Sequence, residues 1–477
     1  MRPASPVRNP RTGQVDFSIE PLDRDDVARE HAHVAQGQVA WSRDLDLRVS
    51  TLHAWKDELI RSRAEIAEAL TVDTGRRALS YAEVDVITAA IDRWCRLAPD
   101  LLAPMLRRSS EVPGIELGWT RSPYPVVAVI SPWNFPLILT LIDAVPALAA
   151  GCAVLAKASK VTPRFVEPLA ESIARVPALD GVFRMIRGDG RTGSEMIEFA
   201  DAVCFTGSIP VGRIVAHAAA ERLIPAFLEL GGKDAAIVTA SADVDRATTA
   251  LLRASVANAG QACQSIERIY VARPIFDDFV RTLVAKAEAV ELNYPDINRG
   301  QIGPLIAAEQ ADVIEQHVAD ARDKGATVHC GGAIEHHGGG LWCRPTVLTD
   351  VTHDMEVMRE ETFGPLMPVM PFDDPDEAVA LANDSNCGLS GAVIAGSRDE
   401  AEAIGSRIEA GAISILDAGL TSFVHDAEKD SFKESGLGRS RMDHSGLLRF
   451  LRKRALICNT GDVWELSMLK EGSIDAD

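Results

Sequence analysis

Two residues in the middle of the chain have the chemistry of a covalent catalyst. Cys263 ends the small and polar run Asn258–Cys263, and Glu229 lies upstream within Leu228–Lys233, beside a double glycine. Small neighbours let a thiol approach a substrate carbonyl, and glycines next to a carboxylate allow it to rotate. The pair predicts a cysteine nucleophile and a mobile general base.

Each of these residues also has a structural interpretation. A lone cysteine among small residues is more often a buried core residue than a nucleophile. Glu229 follows the apolar run Ala226–Leu228, where a helix cap or an ion pair would also explain an acid. Neither residue alone decides between catalysis and structure.

A third polar residue follows a predicted strand. The loop Ser131–Pro136 contains two prolines, which stiffen it and can aim the Asn134 amide at developing oxyanion charge. The alternative is a turn-forming asparagine, the commoner use of Asn near Pro.

Glycines recur between another strand and helix. Gly207 and Ser208 follow the strand that ends near Phe205, and Gly212 lies in the next helical pattern. Free NH groups at a helix start bind phosphate, although this spacing is a variant of GxGxxG and a weak signal alone. Lys157 ends a further strand and suits ribose hydroxyls or phosphate; its alternative is a solvated lysine.

The bulk composition narrows the function classes. The chain has 477 residues and a formal net charge of -20, which disfavours nucleic acid and anionic membranes as partners. Eight cysteines without a CxxC pair predict neither a disulfide framework nor a metal site, and they favour the cytoplasm. Residues Met1–Glu20 lack the apolar core of a secretory signal.

One apolar stretch resembles a membrane span. Leu137–Ala156 carries only Asp143 as a charge, but Pro146 and Gly151 interrupt it. We therefore expect a buried helix followed by a strand that begins near Cys152.

Hydrophobic periodicity predicts an α/β fold. Apolar residues recur at helical spacing from Asp23 to Leu102, which indicates a helical layer. Strands are predicted at Val126–Ile130, Val154–Lys157, Val182–Ile186 and Ala202–Phe205, with helices at Pro163–Val176 and Val211–Leu223. After Gly232, strands are predicted at 235–239, 268–271 and near 392 and 412, and helices at 243–257, 275–290 and 307–324. This alternation indicates two parallel-sheet units whose ligands bind at the C-terminal strand ends.

Two segments fall outside this alternation. Arg108–Ser122 has mixed polarity and is predicted to form a hairpin. Leu447–Ile457 is apolar and basic, and we expect it to pair with a neighbouring subunit.

In this order, the motifs resemble the aldehyde dehydrogenase superfamily over about Val27–Leu456. The residues that carry the resemblance are Ser131–Pro136, Lys157–Pro163, Phe205–Ser208, Glu229–Lys233, Gly260–Cys263, Glu360–Pro365 and Lys433–Arg439.

The resemblance implies a role for each matching residue. Cys263 is similar to the nucleophile that forms a thiohemiacetal, whose oxyanion the Asn134 amide and the Cys263 backbone NH would hold. Glu229 is similar to the base that activates water to hydrolyse the thioester. NAD or NADP is the implied cofactor, and the implied cofactor-binding residues are Trp133, Lys157, Ser159, Lys160, Gly190, Gly207, Ser208, Gly212, Leu230, Glu361 and Phe363.

The same resemblance implies a three-part architecture and a homodimer or homotetramer. A Rossmann-like cofactor-binding domain is expected at 1–110 and 124–230, and a second α/β catalytic domain at 231–435. A small β oligomerisation arm with the C-terminal return is expected at 111–123 and 436–477.

Three positions depart from the family pattern. NAD-preferring members often have a glutamate where this chain has Lys160, so a 2′-phosphate should be tolerated and NADP use is predicted. Asp143 replaces a lysine that many relatives have near the proton-exit path. Leu416 stands where asparagine is common.

Substrate choice is predicted from the positions that would face the aldehyde. Phe135, Ile138, Ile142, Ala257 and Gln264 are mainly apolar and include no arginine. They favour a bulky apolar or aromatic aldehyde over a charged semialdehyde. The alternatives are a coenzyme A-acylating or semialdehyde-specific relative, and a non-catalytic structural relative.

Overall fold

The computed structural model describes residues 2–104 and 107–470. A hairpin of Ser5–Arg8 and Val15–Ile19 leads into the predicted helical layer, whose four helices are Arg24–Trp41, Leu45–Arg61, Arg63–Thr74 and Arg77–Leu102. The first helix begins at a capping box in which Asp23 and Asp26 each accept a hydrogen bond from the other's backbone NH. The third ends at Gly75, which adopts a left-handed φ of 68°.

The first sheet has six strands. Their spatial order is Gly436–Leu437, Ala226–Glu229, Ala202–Thr206, Val126–Ile130, Ala153–Lys157 and Phe183–Ile186. All pairs are parallel except that of Gly436–Leu437. The intervening helices are Pro136–Ala150, Val166–Ala174, Pro177–Asp180, Gly190–Phe199 and Ile209–Glu221. The predicted strands are confirmed, and Asn134, Lys157 and Ser208 lie at or just beyond the carboxyl ends of three of them. Glu229 ends the neighbouring strand Ala226–Glu229, which was not predicted.

The apolar stretch that resembles a membrane span is a buried helix and a strand, as predicted. Helix Pro136–Ala150 ends at Gly151, which has a left-handed φ of 102°. Within residues 2–104 and 107–470, no helix is long and apolar enough to cross a membrane.

The second sheet has seven strands. Their order is Thr327–Cys330, Thr346–Thr349, Leu366–Phe372, Ile266–Ala272, Asp234–Val238, Ser390–Ile394 and Ala412–Ile415, and only the first is antiparallel to its neighbour. Helices Val244–Val256, Phe276–Glu288, Glu309–Asp323, Glu356–Arg359, Pro375–Asn383 and Arg398–Gly405 accompany it. Short 3-10 helices are Ala257–Gly260, Arg273–Ile275, Leu420–Ser422 and Leu466–Leu469. Two small antiparallel pairs join Ile334–His337 to Gly340–Cys343 and Cys387–Gly388 to Phe432–Lys433.

A third sheet forms the arm. Strands Arg108–Ser109 and Ile115–Pro123 form the predicted hairpin, and Leu451–Asn459, which follows helix Ser445–Leu448, pairs with Ile115–Pro123 along its whole length. The C-terminal piece that we expected on a neighbouring subunit therefore pairs within its own chain, because Ile115–Pro123 offers it a complete ladder. The predicted C-terminal return extends to 477, and its residues 471–477 lie outside the described ranges.

Candidate active site

The residues with predicted chemistry surround two adjoining cavities at the carboxyl edge of the first sheet. The larger cavity, of about 230 Å³, is lined by Trp133, Asn134, Gly207, Ser208, Glu229, Leu230, Cys263, Glu361 and Phe363, among others. A second cavity, of about 140 Å³, shares Asn134, Glu229 and Cys263 with it. Three predicted catalytic side chains thus face both cavities.

Cys263 is placed by an unusual left-handed turn. Asn258, Ala259 and Gly260 have φ values of 56°, 56° and 72°. A Cβ on Gly260 would lie 2.2 Å from the carbonyl oxygen of Gly364, so only glycine allows this turn to contact the loop that carries Glu361 and Phe363. Burial, followed by the charges of Glu361 and Glu229, raises the pKa of the Cys263 thiol to about 12.

The double glycine beside Glu229 allows two other segments to pack closely against this part of the chain. A Cβ on Gly231 would lie 2.5 Å from a carboxylate oxygen of Glu361, and one on Gly232 would lie 2.5 Å from the Cys263 carbonyl oxygen. These two glycines therefore bring the predicted base, nucleophile and cofactor-binding acid together. Rotation of the Glu229 side chain stays a prediction.

Cations surround the Glu229 carboxylate. Ser431 Oγ donates to Oε2 at 3.1 Å, Lys429 Nζ lies 3.6 Å from the same oxygen, and Arg441 Nε lies 3.8 Å from Oε1. Burial raises the pKa of Glu229, but Lys429 and then Arg441 outweigh it, so the pKa falls below its usual range. Sequence reasoning missed all three neighbours, since they lie in an irregular C-terminal segment without periodicity.

Asn134 is held by the helical layer. Its Nδ2 donates to the Gln261 carbonyl at 3.0 Å, which occupies one of the two amide hydrogens. Its backbone carbonyl accepts from Arg76 at 2.6 Å, and Arg76 forms a buried ion pair of 2.9 Å with Glu83. Glu83 also accepts from the first backbone NH groups of helix Pro136–Ala150. The buried Arg76–Glu83 ion pair was also not predicted from the sequence.

Of the two remaining departures, the structure explains Asp143 but not Leu416. Asp143 is buried between Arg441 and Arg449, lying 3.4 Å from the first and forming a hydrogen bond with the second. A carboxylate therefore compensates the cationic cluster where many relatives have a lysine. Leu416 has a φ of 60°, a left-handed conformation that asparagine tolerates far better than leucine.

Lys157 and its surroundings fit the adenosine end of a dinucleotide. Lys157 Nζ donates to the Ala158 carbonyl at 3.0 Å and the Gly188 carbonyl at 3.4 Å, and burial lowers its pKa to about 8. A Cβ on Gly190 would meet no atom within 4 Å, so space adjoins the backbone there. Lys160 is exposed, and Ser159 Oγ accepts from the Val161 NH.

The phosphate end combines an open helix start with tight glycine packing. Ser208 is the N-cap of helix Ile209–Glu221 and makes no side-chain capping hydrogen bond. A Cβ on Gly207 would lie 2.5 Å from the Phe205 ring, and one on Gly212 would lie 2.4 Å from Leu230. Gly212 therefore lets the helix pack on Leu230; direct cofactor contact by either residue stays a prediction.

Glu361 and Phe363 complete the nicotinamide end. Glu361 accepts from the Gly232 NH at 3.2 Å, and burial together with the nearby Glu267 carboxylate raises its pKa to about 8. Phe363 has a left-handed φ of 52° and packs edge-on against Trp133 at 5.3 Å. Open space at Gly190, a helix start without a side-chain cap and the Glu361 carboxyl at the first cavity together fit NAD(P).

The second cavity fits an aldehyde, with one correction and one addition to the expected lining. Phe135, Ile138, Ile142 and Gln264 line it as expected, together with Leu139, Thr421, Ser422, His425, Arg441 and Met442. Ala257 is exposed and does not line it, because the turn that begins there carries the chain away. Arg441 also lines it, from outside the five positions that were considered, so the cavity does contain an arginine.

The chain belongs to the aldehyde dehydrogenase family, whose sequence model matches residues 2–456. Membership confirms the resemblance, the α/β fold class and the prediction of an NAD(P)-dependent oxidoreductase.

Individual relatives agree over almost the whole chain. A Mycolicibacterium smegmatis protein called "putative succinate-semialdehyde dehydrogenase (NADP+)" is 34% identical over 98% of this chain and 93% of its own. The 4,4'-diapolycopene aldehyde oxidase of a Methylomonas species is 36% identical over 84% of this chain and 76% of its own.

Solved structures agree as well. That of the Anabaena variabilis protein called "putative aldehyde dehydrogenase PutA" is 50% identical, has a TM-score of 0.95 and covers 97% of this chain and 99% of its own. Betaine aldehyde dehydrogenase of Staphylococcus aureus in complex with NAD+ is 30% identical, with a TM-score of 0.90 over 97% of this chain and 93% of its own.

Proposed function

We propose that this enzyme oxidises an aldehyde to the carboxylic acid through a thiohemiacetal and a thioester on Cys263, with water activated by Glu229. The observation that carries this proposal is the shared placement of Cys263, Asn134 and Glu229 at both cavities. A nucleophile, an amide donor and an ionised base must all reach one carbonyl carbon, and a site open to cofactor on one side and substrate on the other meets that need.

The roles follow from the geometry. The Cys263 thiol passes its proton to solvent as its sulfur bonds to the aldehyde carbon, and the remaining hydrogen of the Asn134 amide is available to the oxyanion that forms. The cofactor would be held by Glu361, Trp133, Phe363, Ser208 and Lys157. Loss of hydride from the thiohemiacetal carbon to this bound cofactor would leave the thioester on Cys263. Glu229 then takes a proton from water, whose oxygen attacks the thioester and releases the acid and the thiol.

Two variants test this assignment. C263A should lose aldehyde oxidation. E229Q should still form the thioester, so one equivalent of reduced cofactor should appear per site, with acyl-Cys263 accumulating in intact-mass spectra. Turnover by C263A, or an undiminished steady-state rate for E229Q, would contradict the mechanism; the first would also revive the non-catalytic interpretation of this cysteine.

For the substrate, we propose a bulky apolar or aromatic aldehyde. Phe135, Ile138, Ile142 and Met442 supply an apolar wall, and the charge of Arg441 is shared with buried Asp143. A short semialdehyde is a second candidate, because Arg441 lines the cavity and a relative carries the name of a succinate-semialdehyde dehydrogenase. Comparison of kcat/KM for benzaldehyde, decanal and succinate semialdehyde separates them, and a preference for the last would overturn the first choice.

Water is proposed as the acyl acceptor instead of coenzyme A. The support is the presence of Glu229 at both cavities. Product analysis with and without coenzyme A tests this choice: free acid should form at the same rate in both, whereas an acyl-coenzyme A product would favour the acylating alternative.

Cofactor choice is proposed from Lys160. Its exposed ammonium is available for a 2′-phosphate. NADP+ should be used at least as well as NAD+, and K160E should shift the ratio of kcat/KM values toward NAD+ by roughly tenfold or more. A hundredfold preference of the unmodified enzyme for NAD+ would contradict this reasoning.

We also propose a homodimer or homotetramer in a reducing cytoplasm. Strand Leu451–Asn459 is exposed along almost its whole length at the edge of the arm, which supports assembly there. All eight cysteines are free thiols, which supports the compartment. Light scattering of the purified protein tests the assembly, and a monomer would contradict it.

A further inference from the structure

Lys429 is a buried lysine with an unusual environment. Its side chain is only 4% exposed, and its Nζ has no hydrogen-bond partner among the residues that the structure describes. The nearest carboxylate oxygen in an ion pair with it is Glu229 Oε2, at 3.6 Å. An ammonium is costly to bury unless an opposite charge compensates it. The position of Lys429 is therefore explained by Glu229.

Other charged and titratable groups face Glu229 from several elements. They are Arg441 and Arg449, Asp143 behind these arginines, Cys263, His425 and Glu361 across the cavities, Arg439 beside a smaller cavity, and Asp234, whose charge also acts on Lys429. Arg441 and Arg449 are both committed to Asp143, and Arg441 also donates to Thr206 Oγ1 at 2.6 Å. Asp234 is hydrogen-bonded to Ser390. Of the two described cations in an ion pair with Glu229, Lys429 is thus the one that is not paired with a second acid.

We propose that Lys429 is a positioning residue whose ammonium pairs with Glu229, keeps this carboxylate ionised and fixes its resting place between the two cavities. Ser431 cooperates by donating to the same oxygen. The inference rests on the proposed role of Glu229 in thioester hydrolysis. It deepens that role, because a base that is buried must be kept ionised before it can accept the proton of water.

The contribution of Lys429 is testable through the pH dependence of hydrolysis. An activated ester such as p-nitrophenyl acetate acylates a thiol without hydride transfer, so decay of the acyl-enzyme isolates the step assigned to Glu229. The variants are K429M, which removes the charge but keeps an unbranched side chain, and K429R, which keeps the charge. K433M is the matched control, since Lys433 lies on the same segment but binds the Asn383 and Ser385 carbonyls and Glu409.

In K429M, the acid limb of the pH–rate profile for acyl-enzyme hydrolysis should move to higher pH by about one to three units. This is the usual effect of an opposite charge at this distance on a pKa. Below the limb, hydrolysis should then fall roughly tenfold for each pH unit by which the limb moves. Above it, the rate should stay equal or rise, because a carboxylate with a higher pKa is a stronger base. K429R and K433M should keep the position of the limb.

A uniform loss of rate in K429M, without movement of the limb, would show a purely structural role and overturn the inference. K429Q is measured in parallel, so that the loss of charge is tested even if K429M does not fold. In the E229Q background, K429M should have no further effect on residual hydrolysis. If E229Q itself hydrolysed the acyl-enzyme normally, the proposed function would fail; if E229Q were inactive and the limb stayed fixed in both Lys429 variants, only this inference would fail.

Discussion

The half-buried thiol of Cys263 should be a poor nucleophile in the free enzyme. Its pKa of about 12 corresponds at pH 7.5 to a thiolate fraction of roughly 3 in 100,000, against about one tenth for a free cysteine of pKa about 8.5. The smaller thiolate fraction of Cys263 by itself would therefore slow its alkylation about three thousandfold. The higher basicity of the thiolate offsets it by roughly fortyfold, because nucleophilicity rises with thiol pKa. We expect alkylation of Cys263 about a hundredfold slower than that of a free cysteine.

The assay uses an internal reference. Cys458 is exposed in the same chain, so iodoacetamide labelling of the two cysteine-containing peptides can be compared by mass spectrometry in one sample. The Cys263 rate should rise about tenfold per pH unit up to pH 10 without a plateau, because the thiolate fraction does so below the pKa. A rate similar to that of Cys458 at pH 7.5, with a plateau below pH 8, would refute this reasoning.

Two variants test the electrostatic contribution to this raised pKa. Glu361 is the largest cause of the raised Cys263 pKa after burial, so E361Q should accelerate alkylation severalfold above about pH 8, where Glu361 is ionised. Glu360 is its exposed neighbour, and E360Q is the matched control that should leave the rate unchanged. Equal rates in both variants would mean that burial alone accounts for the slow reaction.

Three further predictions concern stability. G260A places a Cβ against the Gly364 carbonyl at a φ of 72°, so activity and thermal midpoint should both fall; normal activity would show that the Cys263 turn has another arrangement. D143A leaves two buried arginines without their acid and should cost about 3–5 kcal/mol in chemical denaturation, and a loss below 1 kcal/mol would contradict the described ion pairs. Because folding raises the Glu361 pKa from 4.5 to about 8, its contribution to the unfolding free energy should fall between these pH values by up to about 1.4 kcal/mol per pH unit; E361Q should lack that slope.

Much of the site could be predicted because parallel strands end at one edge. Asn134, Lys157 and Ser208 each follow or end a short apolar strand, and a one-dimensional pattern suffices to bring such residues together. Cys263 and Glu361 come from the second sheet unit, and only the family resemblance associates them with the first.

The other features of the site could not be predicted because the same residue type can serve different structural purposes. Gly231 and Gly232 suggested freedom for the base, whereas their missing side chains make room for Glu361 and the Cys263 backbone. Lys429 lies between two acids in Glu428–Asp430 and has the pattern of a solvated charge. Its burial depends on the tertiary packing of an irregular segment, which local hydrophobic periodicity does not predict.

The two carboxyl groups near Cys263 can have different roles because their environments give them different pKa values. Glu229 and Glu361 are both half-buried, but Lys429 and Arg441 lower the pKa of the first, whereas burial and Glu267 raise that of the second to about 8. At neutral pH the first is ionised and can accept a proton, and the second is largely protonated and can donate a hydrogen bond. Since ribose hydroxyls are donors, their binding favours ionised Glu361. We therefore expect cofactor binding below about pH 8 to release a proton, which calorimetry in buffers of different ionisation enthalpy would detect and E361Q would abolish. Proton release by E361Q equal to that of the unmodified enzyme would assign the released proton to another group.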